Sequence, residues 1–158
     1  MNPCLVRIDL YPIKSLDGVT VQAATLLPSG ALQHDRAFAL FDQAGKYVNG
    51  KRNAKIHRVR SHFSEDCSVV TVRAKDAHDS ATFHLPQEQP ALAAWFSDYF
   101  QQPIMLKQNT EMGFPDDSDS PGPTVISTAT LQTVADWFGI SLLDARRRFR
   151  TNLEIDGG

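Results

Sequence analysis

The sequence has few cysteines and no long apolar run. Cys4 and Cys67 are the only cysteines among the 158 residues, and no CxxC or other metal-ligand spacing occurs. A disulfide framework and a zinc site are therefore not indicated. Apolar stretches fall short of the about 20 residues that a membrane span needs, and charges interrupt the amino-terminal apolar residues, unlike a signal peptide. We expect a cytoplasmic protein with no membrane partner.

Common catalytic motifs are also missing. The glycines are spread singly apart from the last two, and no nucleophile elbow, P-loop or dinucleotide fingerprint is present. The five histidines lie on separate predicted elements, which is typical of surface histidines. The residues alone therefore predict no catalytic group and no metal ligand.

The charge is nearly balanced overall but unevenly distributed. Sixteen Lys and Arg against eighteen Asp and Glu give a net charge of -2, which argues against nucleic-acid binding by bulk electrostatics. Residues 1–60, however, include nine basic residues and only four acidic ones, and the strip from Lys46 to Arg60 contains no acidic residue. A local anion site needs such a basic region, although solvated strand faces give the same count.

Short β-branched and aromatic runs separated by turn residues fill the chain from Leu5 to Leu85. They predict a small antiparallel barrel or sandwich, and thus a mainly β fold with a few short helices. The predicted strands cover residues 6–10, 19–27, 36–42, 59–63, 68–73 and 81–85.

The period changes to three to four residues after Pro90, which predicts a helix through Trp95 and Phe96, followed by a strand over 104–107. The Asp-, Ser- and Pro-rich segment 109–123 is predicted as a linker between a domain at 1–108 and the start of another at 124–158.

In this last part we predict an α+β unit. Its first helix follows Ser127 or Thr128, its second starts at Ser141, and a strand covers 152–155. The buried face of the first helix is predicted to contain Leu131, Val134, Ala135 and Phe138. Because two helices and one strand form no core alone, this part must pack on the first domain or on something larger.

A set of polar residues near predicted strand ends indicates an anion site. Lys14 and Ser15 follow the first strand, where an ammonium, a hydroxyl and turn amides converge on a phosphate or carboxylate. Arg36 opens the third strand and adds a bidentate fork. The alternative is a solvated turn with a structural ion pair between Asp35 and Arg36, and the residues alone leave both open.

Three motifs in the first 60 residues carry a family likeness: YPIKS at 11–15, the strand and turn at 26–48, and KR at 51–52. They resemble the N-terminal β-barrel domain that precedes the MOSC domain in molybdenum cofactor sulfurases, mitochondrial amidoxime-reducing components and bacterial relatives. The likeness is looser over 62–106. The segments 123–139 and 146–158 are similar to the opening of the MOSC domain itself.

The resemblance implies that the chain binds the molybdenum cofactor, molybdopterin, between these two parts. It implies a pterin-phosphate role for Lys14 and Ser15 and an anion contact for Arg36. It also implies cofactor contacts from Ser127, Arg150 and Asn152. Thr151 stands where relatives often have proline, which removes no donor.

Relatives continue past the point where this sequence stops, to a cysteine whose thiolate binds molybdenum. Cys4 and Cys67 lie outside that segment. The resemblance therefore implies the cofactor-gripping part of an oxidoreductase or sulfur-carrier enzyme, with no catalytic residue or metal ligand among these residues. These residues alone are expected to be inactive, and the longer parent is expected to use an electron-donor protein.

Two other functions are open. One is a stand-alone, non-catalytic β-barrel module that uses the strip from Lys46 to Arg60 to dock a protein or an anionic ligand. The other is single-strand nucleic-acid binding, which needs aromatic residues interleaved with the strip. Only Tyr47 and Phe63 are available, so we rank this function last and expect no nucleic-acid partner.

Overall fold

The computed structural model describes residues 2–157. Within that range it contains nine strands, three α-helices and one 3₁₀ turn. The strands are β1 (Cys4–Leu10), β2 (Val19–Val21), β3 (Phe38–Phe41), β4 (Val59–Phe63), β5 (Val69–Ala74), β6 (Ala81–His84), β7 (Met105–Gln108), β8 (Val125–Ser127) and β9 (Leu153–Asp156). The helices are α1 (Gln89–Phe100), α2 (Thr128–Phe138) and α3 (Leu142–Phe149), and the 3₁₀ turn is Ala54–Arg58.

The described strands form three small sheets. A four-stranded sheet has the order β2-β1-β9-β8, a three-stranded sheet is β4-β5-β6, and β3 pairs with β7. Pairing is antiparallel except between β8 and β9, which run parallel because α2 and α3 connect them. The predicted class, a mainly β fold with a few short helices, is confirmed.

One large apolar core lies among β3, β4, β5 and α1. Leu40, Phe63 and Val70 are each at most 1% exposed, and α1 adds Leu92 and Phe96 from one face. The three-to-four-residue spacing seen in the sequence places these helix residues in the core. Apolar packing, rather than polar contacts, therefore stabilises this core.

Two strands are shorter than the sequence predicts. β2 ends at Val21 because the following chain pairs with itself: the Gln33 amide donates to the Thr25 carbonyl, and the Leu27 amide to the Ala31 carbonyl. β3 begins at Phe38 because Arg36 has a φ of 48°, outside the extended region. All four β3 residues are buried, so this strand has no exposed side.

A second, much smaller apolar cluster joins α2 and α3. It contains Leu131, Ala135 and Ala145. Phe138, predicted on the buried face, is 69% exposed, so that prediction is wrong. The helix ends immediately after Phe138 at the left-handed Gly139, and α3 packs against the small Ala135 rather than reaching the last turn.

The helix starts follow the predicted caps. The Ser127 hydroxyl accepts a hydrogen bond from the Thr130 amide at 3.0 Å, and the Ser141 hydroxyl accepts one from the Asp144 amide at 3.0 Å. β9 inserts between β1 and β8, so the last third of the chain extends the sheet that the first strand begins. That pairing brings residues near both ends of the sequence to one place.

Candidate anion-binding site

Two arginines lie over the ring of Tyr11. The guanidinium carbon of Arg36 is 4.7 Å from the ring centroid, and that of Arg150 is 4.4 Å from it. We call these three residues the tyrosine–arginine cluster. Arg150 ends α3 with a φ of 54°, a left-handed position that glycine usually fills. The chain therefore has a long cationic side chain at a position where the backbone conformation favours glycine.

Protein acceptors hold Arg36 in the cluster. Its Nη1 donates to the Asp35 carboxylate at 2.5 Å and to Asn152 Oδ1 at 3.3 Å, while Nη2 donates to the Arg150 carbonyl at 3.2 Å. The ion pair between Asp35 and Arg36 that the sequence left open is thus present. Because Arg36 bonds the backbone of Arg150, it also positions the second arginine.

The environment of the cluster changes two pKa values. Burial lowers the pKa of Arg150, and the charge of Arg36 lowers it further. Burial, helped by Asp9, raises the pKa of Tyr11 to about 12. Tyr11 is therefore a neutral phenol at pH 7, and two cations share a partly dehydrated region, which favours a nearby anion.

A cleft of about 600 Å³ opens beside this cluster, between the 3₁₀ turn with β4 on one side and α3 on the other. We call it the basic cleft. Four arginines and two carboxylates line it, and together these six residues carry an excess of two positive charges. Its charged residues are Arg60, Arg147, Arg148, Arg150, Asp17 and Asp144, and Ser15 and His57 complete its polar wall.

The carboxylates of the basic cleft neutralise only some of the arginines. Both Asp17 oxygens accept from Arg60 at 3.1 Å, and one also accepts from Arg147 at 3.2 Å. Among residues 2–157, neither Arg148 nor Arg150 forms an ion pair. The Arg150 guanidinium donates to the Leu16 carbonyl, so both groups lack an anionic partner, while Arg150 keeps only its remaining N–H donors for an anionic ligand.

Lys14 does not line the basic cleft and contacts the loop before β8. Its Nζ donates to the Phe114 carbonyl at 2.9 Å and to Asp116 Oδ1 at 2.6 Å, and lies 5.3 Å from the Tyr47 ring centroid. The hydrogen bond from Lys14 lowers the pKa of Asp116. Lys14 therefore has a carboxylate partner from the chain itself.

Ser127 and Asn152 lie at different heights of one strand pair. Ser127 is opposite Ile155, three residues along the chain from Asn152. At about 3.3 Å per residue this separates the two levels by roughly 10 Å, too far for one phosphate group to bond both. Asn152 is buried, accepts from the Thr124 amide at 3.2 Å and donates to the Asp9 carbonyl at 3.0 Å.

The structure therefore brings some of the six predicted residues together and separates others. Arg36, Arg150 and Asn152 are joined by hydrogen bonds, and Ser15 shares the basic cleft with Arg150. Lys14 and Ser127 do not line the basic cleft and form no described side-chain hydrogen bond with these residues.

Sequence reasoning missed three arginines and one histidine of the basic cleft. Arg147 and Arg148 belong to a basic run that the sequence presented only as the end of a helix. The spacing of three between Arg147 and Arg150 was the available signal, because residues three apart share one helix face. Arg60 and His57 come from the basic strip, and no local pattern links that strip to α3.

Neither cysteine lines the basic cleft. Cys67 is buried, and burial raises the pKa of its thiol to about 11, so it is a poor nucleophile at neutral pH. Across residues 2–157, no group of three or more His, Cys, Asp and Glu side chains is placed to hold a metal ion. None of the described helices is long and apolar enough to cross a membrane.

Comparison with known proteins gives one family. No curated protein matches the chain. A family model described as the MOSC N-terminal beta barrel domain matches residues 3–103, which include Lys14, Ser15 and Arg36. The match spans well over half of the chain and confirms the family resemblance of the sequence, so this protein belongs to the MOSC N-terminal beta barrel domain family.

Proposed function

We propose that this chain is the cofactor-gripping part of a MOSC-type oxidoreductase or sulfur-carrier enzyme, holding the phosphate of molybdopterin and shaping the entrance for substrate. The observation that carries the proposal is the basic cleft, with its two unpaired arginines and the Ser15 hydroxyl. Family membership supports the choice of cofactor.

The donor set fits a phosphate monoester. Such a group carries about -1.5 to -2 charges at pH 7, which matches the excess of two positive charges in the basic cleft. Planar guanidinium forks bind phosphate oxygens in pairs, and a serine hydroxyl adds a single donor. The cleft offers no soft thiolate for molybdenum, so we assign it the phosphate and no metal ligand.

Each residue then has a distinct task. Arg150 and Ser15 donate to the phosphate from two elements, and Arg148 adds charge at the rim. Asp17 orients Arg60 and Arg147 by accepting hydrogen bonds from both. Arg36 and Asn152 are positioning residues, since Arg36 bonds the backbone of Arg150 and Asn152 bonds Arg36.

Ser127 lies about 10 Å along the strand pair from Asn152 and would contact a different part of the cofactor. Bound molybdopterin would supply the redox or sulfur-transfer chemistry of the molybdenum ion. We propose that this chemistry, and the contact with an electron-donor protein, belong to the cytoplasmic parent enzyme rather than to these residues alone.

Pterin content tests the proposal. The protein is isolated from cells that make the cofactor, denatured and oxidised, and the released fluorescent pterin is measured per chain. We expect pterin in the wild type and at least about a tenfold loss in the double variant Arg148→Ser, Arg150→Ser, because each charge-assisted bond to phosphate contributes about 1.5 kcal/mol or more.

The matched control is Arg73→Ser, which removes an arginine from β5 outside the basic cleft and should keep its pterin. A wild-type protein without pterin, or equal pterin in the double variant, would refute the proposal.

A second candidate is the stand-alone binding module. It is favoured by three exposed cations of the basic strip, Lys51, Arg52 and Lys55, which form no ion pair within the described residues. Under this function, Lys51→Ser with Lys55→Ser abolishes binding of an acidic peptide in a fluorescence titration. Unchanged binding by that variant would exclude it.

A further inference from the structure

The segment 115–123, which we call the strap, is fixed at its ends and nearly free between them. Before it, the Phe114 amide donates to the Arg36 carbonyl at 2.8 Å and the Phe114 ring packs on Phe41 at 5.6 Å between centroids. After it, Thr124 bonds Asn152. The strap is therefore a short bridge between two well-anchored points.

Gly113 helps to fix the first anchor. It has a φ of 69°, and a Cβ there would stand 2.6 Å from the Asp35 carbonyl oxygen. Only glycine allows the chain to pass this close to the backbone beside Arg36. The strap consequently starts from a rigid position next to the tyrosine–arginine cluster.

One ion pair, two residues after the Phe114 anchor, ties the start of the strap to the rest of the molecule. Among the described hydrogen bonds of residues 115–123, one is local, between the Asp119 amide and Asp117, and the other joins Asp116 to Lys14. The Asp116 side chain is 95% exposed, whereas that of Lys14 is 11% exposed. The cation is built into the fold, and its carboxylate partner is exchangeable.

Several cations act on the Asp116 carboxylate. Besides the hydrogen bond from Lys14, the charges of Lys14, Arg36 and Lys51 all favour its ionised form. The strap thus places the Asp116 carboxylate in a region of positive potential to which Lys14, Arg36 and Lys51 all contribute. Lys14 directly precedes Ser15, so the backbone that carries this ion pair also carries a residue of the basic cleft.

We propose that Asp116 is an internal competitor: a phosphate-bearing ligand replaces its carboxylate at Lys14, and this exchange releases the strap. The inference rests on the proposed function for the identity of the ligand. A phosphate brings up to two charges and three acceptor oxygens against the single charge of the carboxylate. Asp116 is favoured by its tether, but exposed ion pairs are weak, so the exchange is readily reversible.

Inorganic pyrophosphate serves as the probe in a calorimetric titration of the full 158-residue chain at pH 7 and low salt. Asp116→Asn should lower the Kd about threefold to fivefold, the range expected for loss of one exposed ion pair. Asp119→Asn is the matched control, since it removes the same charge from the same strap without touching Lys14. The control should differ from wild type by less than about twofold.

A double-mutant cycle assigns the effect to the ion pair. In a Lys14→Gln background, Asp116→Asn should give no further gain, because the competed cation is gone. NMR gives an independent readout: backbone amides of the strap should become more mobile when pyrophosphate is added to the wild type, and should already be mobile in ligand-free Asp116→Asn.

The outcomes separate this inference from the proposed function. If Arg148→Ser with Arg150→Ser abolishes binding and Asp116→Asn leaves it unchanged, the competitor role of Asp116 is overturned and the proposed phosphate site stands. If Asp116→Asn tightens pyrophosphate binding and replacement of the two arginines does not weaken it, the competitor role of Asp116 is supported and the proposed phosphate site is overturned. If neither the wild type nor any variant binds pyrophosphate, both proposals are overturned. If Asp116→Asn and Asp119→Asn tighten binding equally, the effect is one of net charge and the competitor role is overturned.

Discussion

The two ends of the molecule are stabilised in different ways. The core around β3, β4, β5 and α1 contains sixteen buried residues, whereas the cluster between α2 and α3 contains three. Around that small cluster four large apolar side chains are exposed: Trp137, Phe138, Leu143 and Phe149. The α2–α3 unit is therefore held to the rest mainly by strand pairing and polar contacts, and the candidate site lies along this junction.

The difference teaches why cations are concentrated at the junction. Arg147 bonds Asp17, and Arg150 bonds the Leu16 carbonyl and covers Tyr11, so both connect α3 to the first part of the chain. The same groups line the basic cleft. Residues of this junction thus serve attachment and ligand binding together, while the large core serves stability alone.

Truncation in the two apolar clusters should give the largest effect and the clearest contrast. Phe63→Ala is expected to lower the free energy of unfolding by about 3–5 kcal/mol, because the dense core cannot collapse around the cavity. Leu131→Ala should cost about 2–3 kcal/mol, since its thinner surroundings relax more easily. Urea denaturation measures the free energy of unfolding of both variants. Equal losses would show that the two apolar clusters do not differ in how they stabilise the molecule.

The polar junction should be almost as sensitive at its buried centre. Asn152→Ala is expected to cost about 2–3 kcal/mol, because it leaves the Thr124 amide and the Asp9 carbonyl without their partner. Asn109→Ala is the control, as Asn109 makes similar amide contacts in an exposed loop and should cost less than about 1 kcal/mol. The measurement is thermal unfolding, and equal losses of stability in the two variants would show that the buried contacts of Asn152 do not stabilise the junction more than an exposed loop contact does.

Acid should weaken the junction through Glu154. Its carboxylate is 5% exposed and accepts from Arg146 at 2.7 and 2.8 Å, and these bonds lower its pKa below the usual 4.5. A lowered folded-state pKa gives stability that is full above pH 4.5 and is lost as the pH falls through the folded value. Glu154→Gln should cost roughly 2 kcal/mol at pH 7 and flatten the acid limb.

The measurement is the urea midpoint as a function of pH, for the wild type and both variants. Glu65→Gln, an exposed glutamate on the β4–β5 link, is the control and should retain the wild-type acid limb. An unchanged acid limb in Glu154→Gln would mean that the ion pair with Arg146 contributes nothing to holding α3.

Local patterns sufficed for much of the fold. Alternation found β4 and β5, helical spacing found α1, and the caps at Ser127 and Ser141 located α2 and α3. Phe138 was misplaced because its exposure depends on how α3 packs, which no local pattern contains. The insertion of β9 beside β1 was equally hidden, since strand partners are chosen by three-dimensional packing.

The candidate site was predictable only in pieces. Their position at predicted strand ends and the family motif both indicated Lys14, Ser15 and Arg36, and the structure added their surroundings. The contact of Lys14 with Asp116 spans 102 residues of sequence, and that of Asp17 with Arg147 spans 130. Complementary charges at such separations leave no periodic trace, so only the folded chain shows which carboxylate meets which cation.

The pairing of β1 with β9 also determines how long one edge of β1 stays unpaired during translation. Asp9 and Asn152, which bond each other, are 143 residues apart. At about 5–20 residues per second, roughly 7–30 s of translation separate them. During that interval one edge of β1 is open, with Leu5 and Val6 about half exposed even after folding. The nascent chain therefore presents an unpaired strand edge to the cell until β9 has left the ribosome.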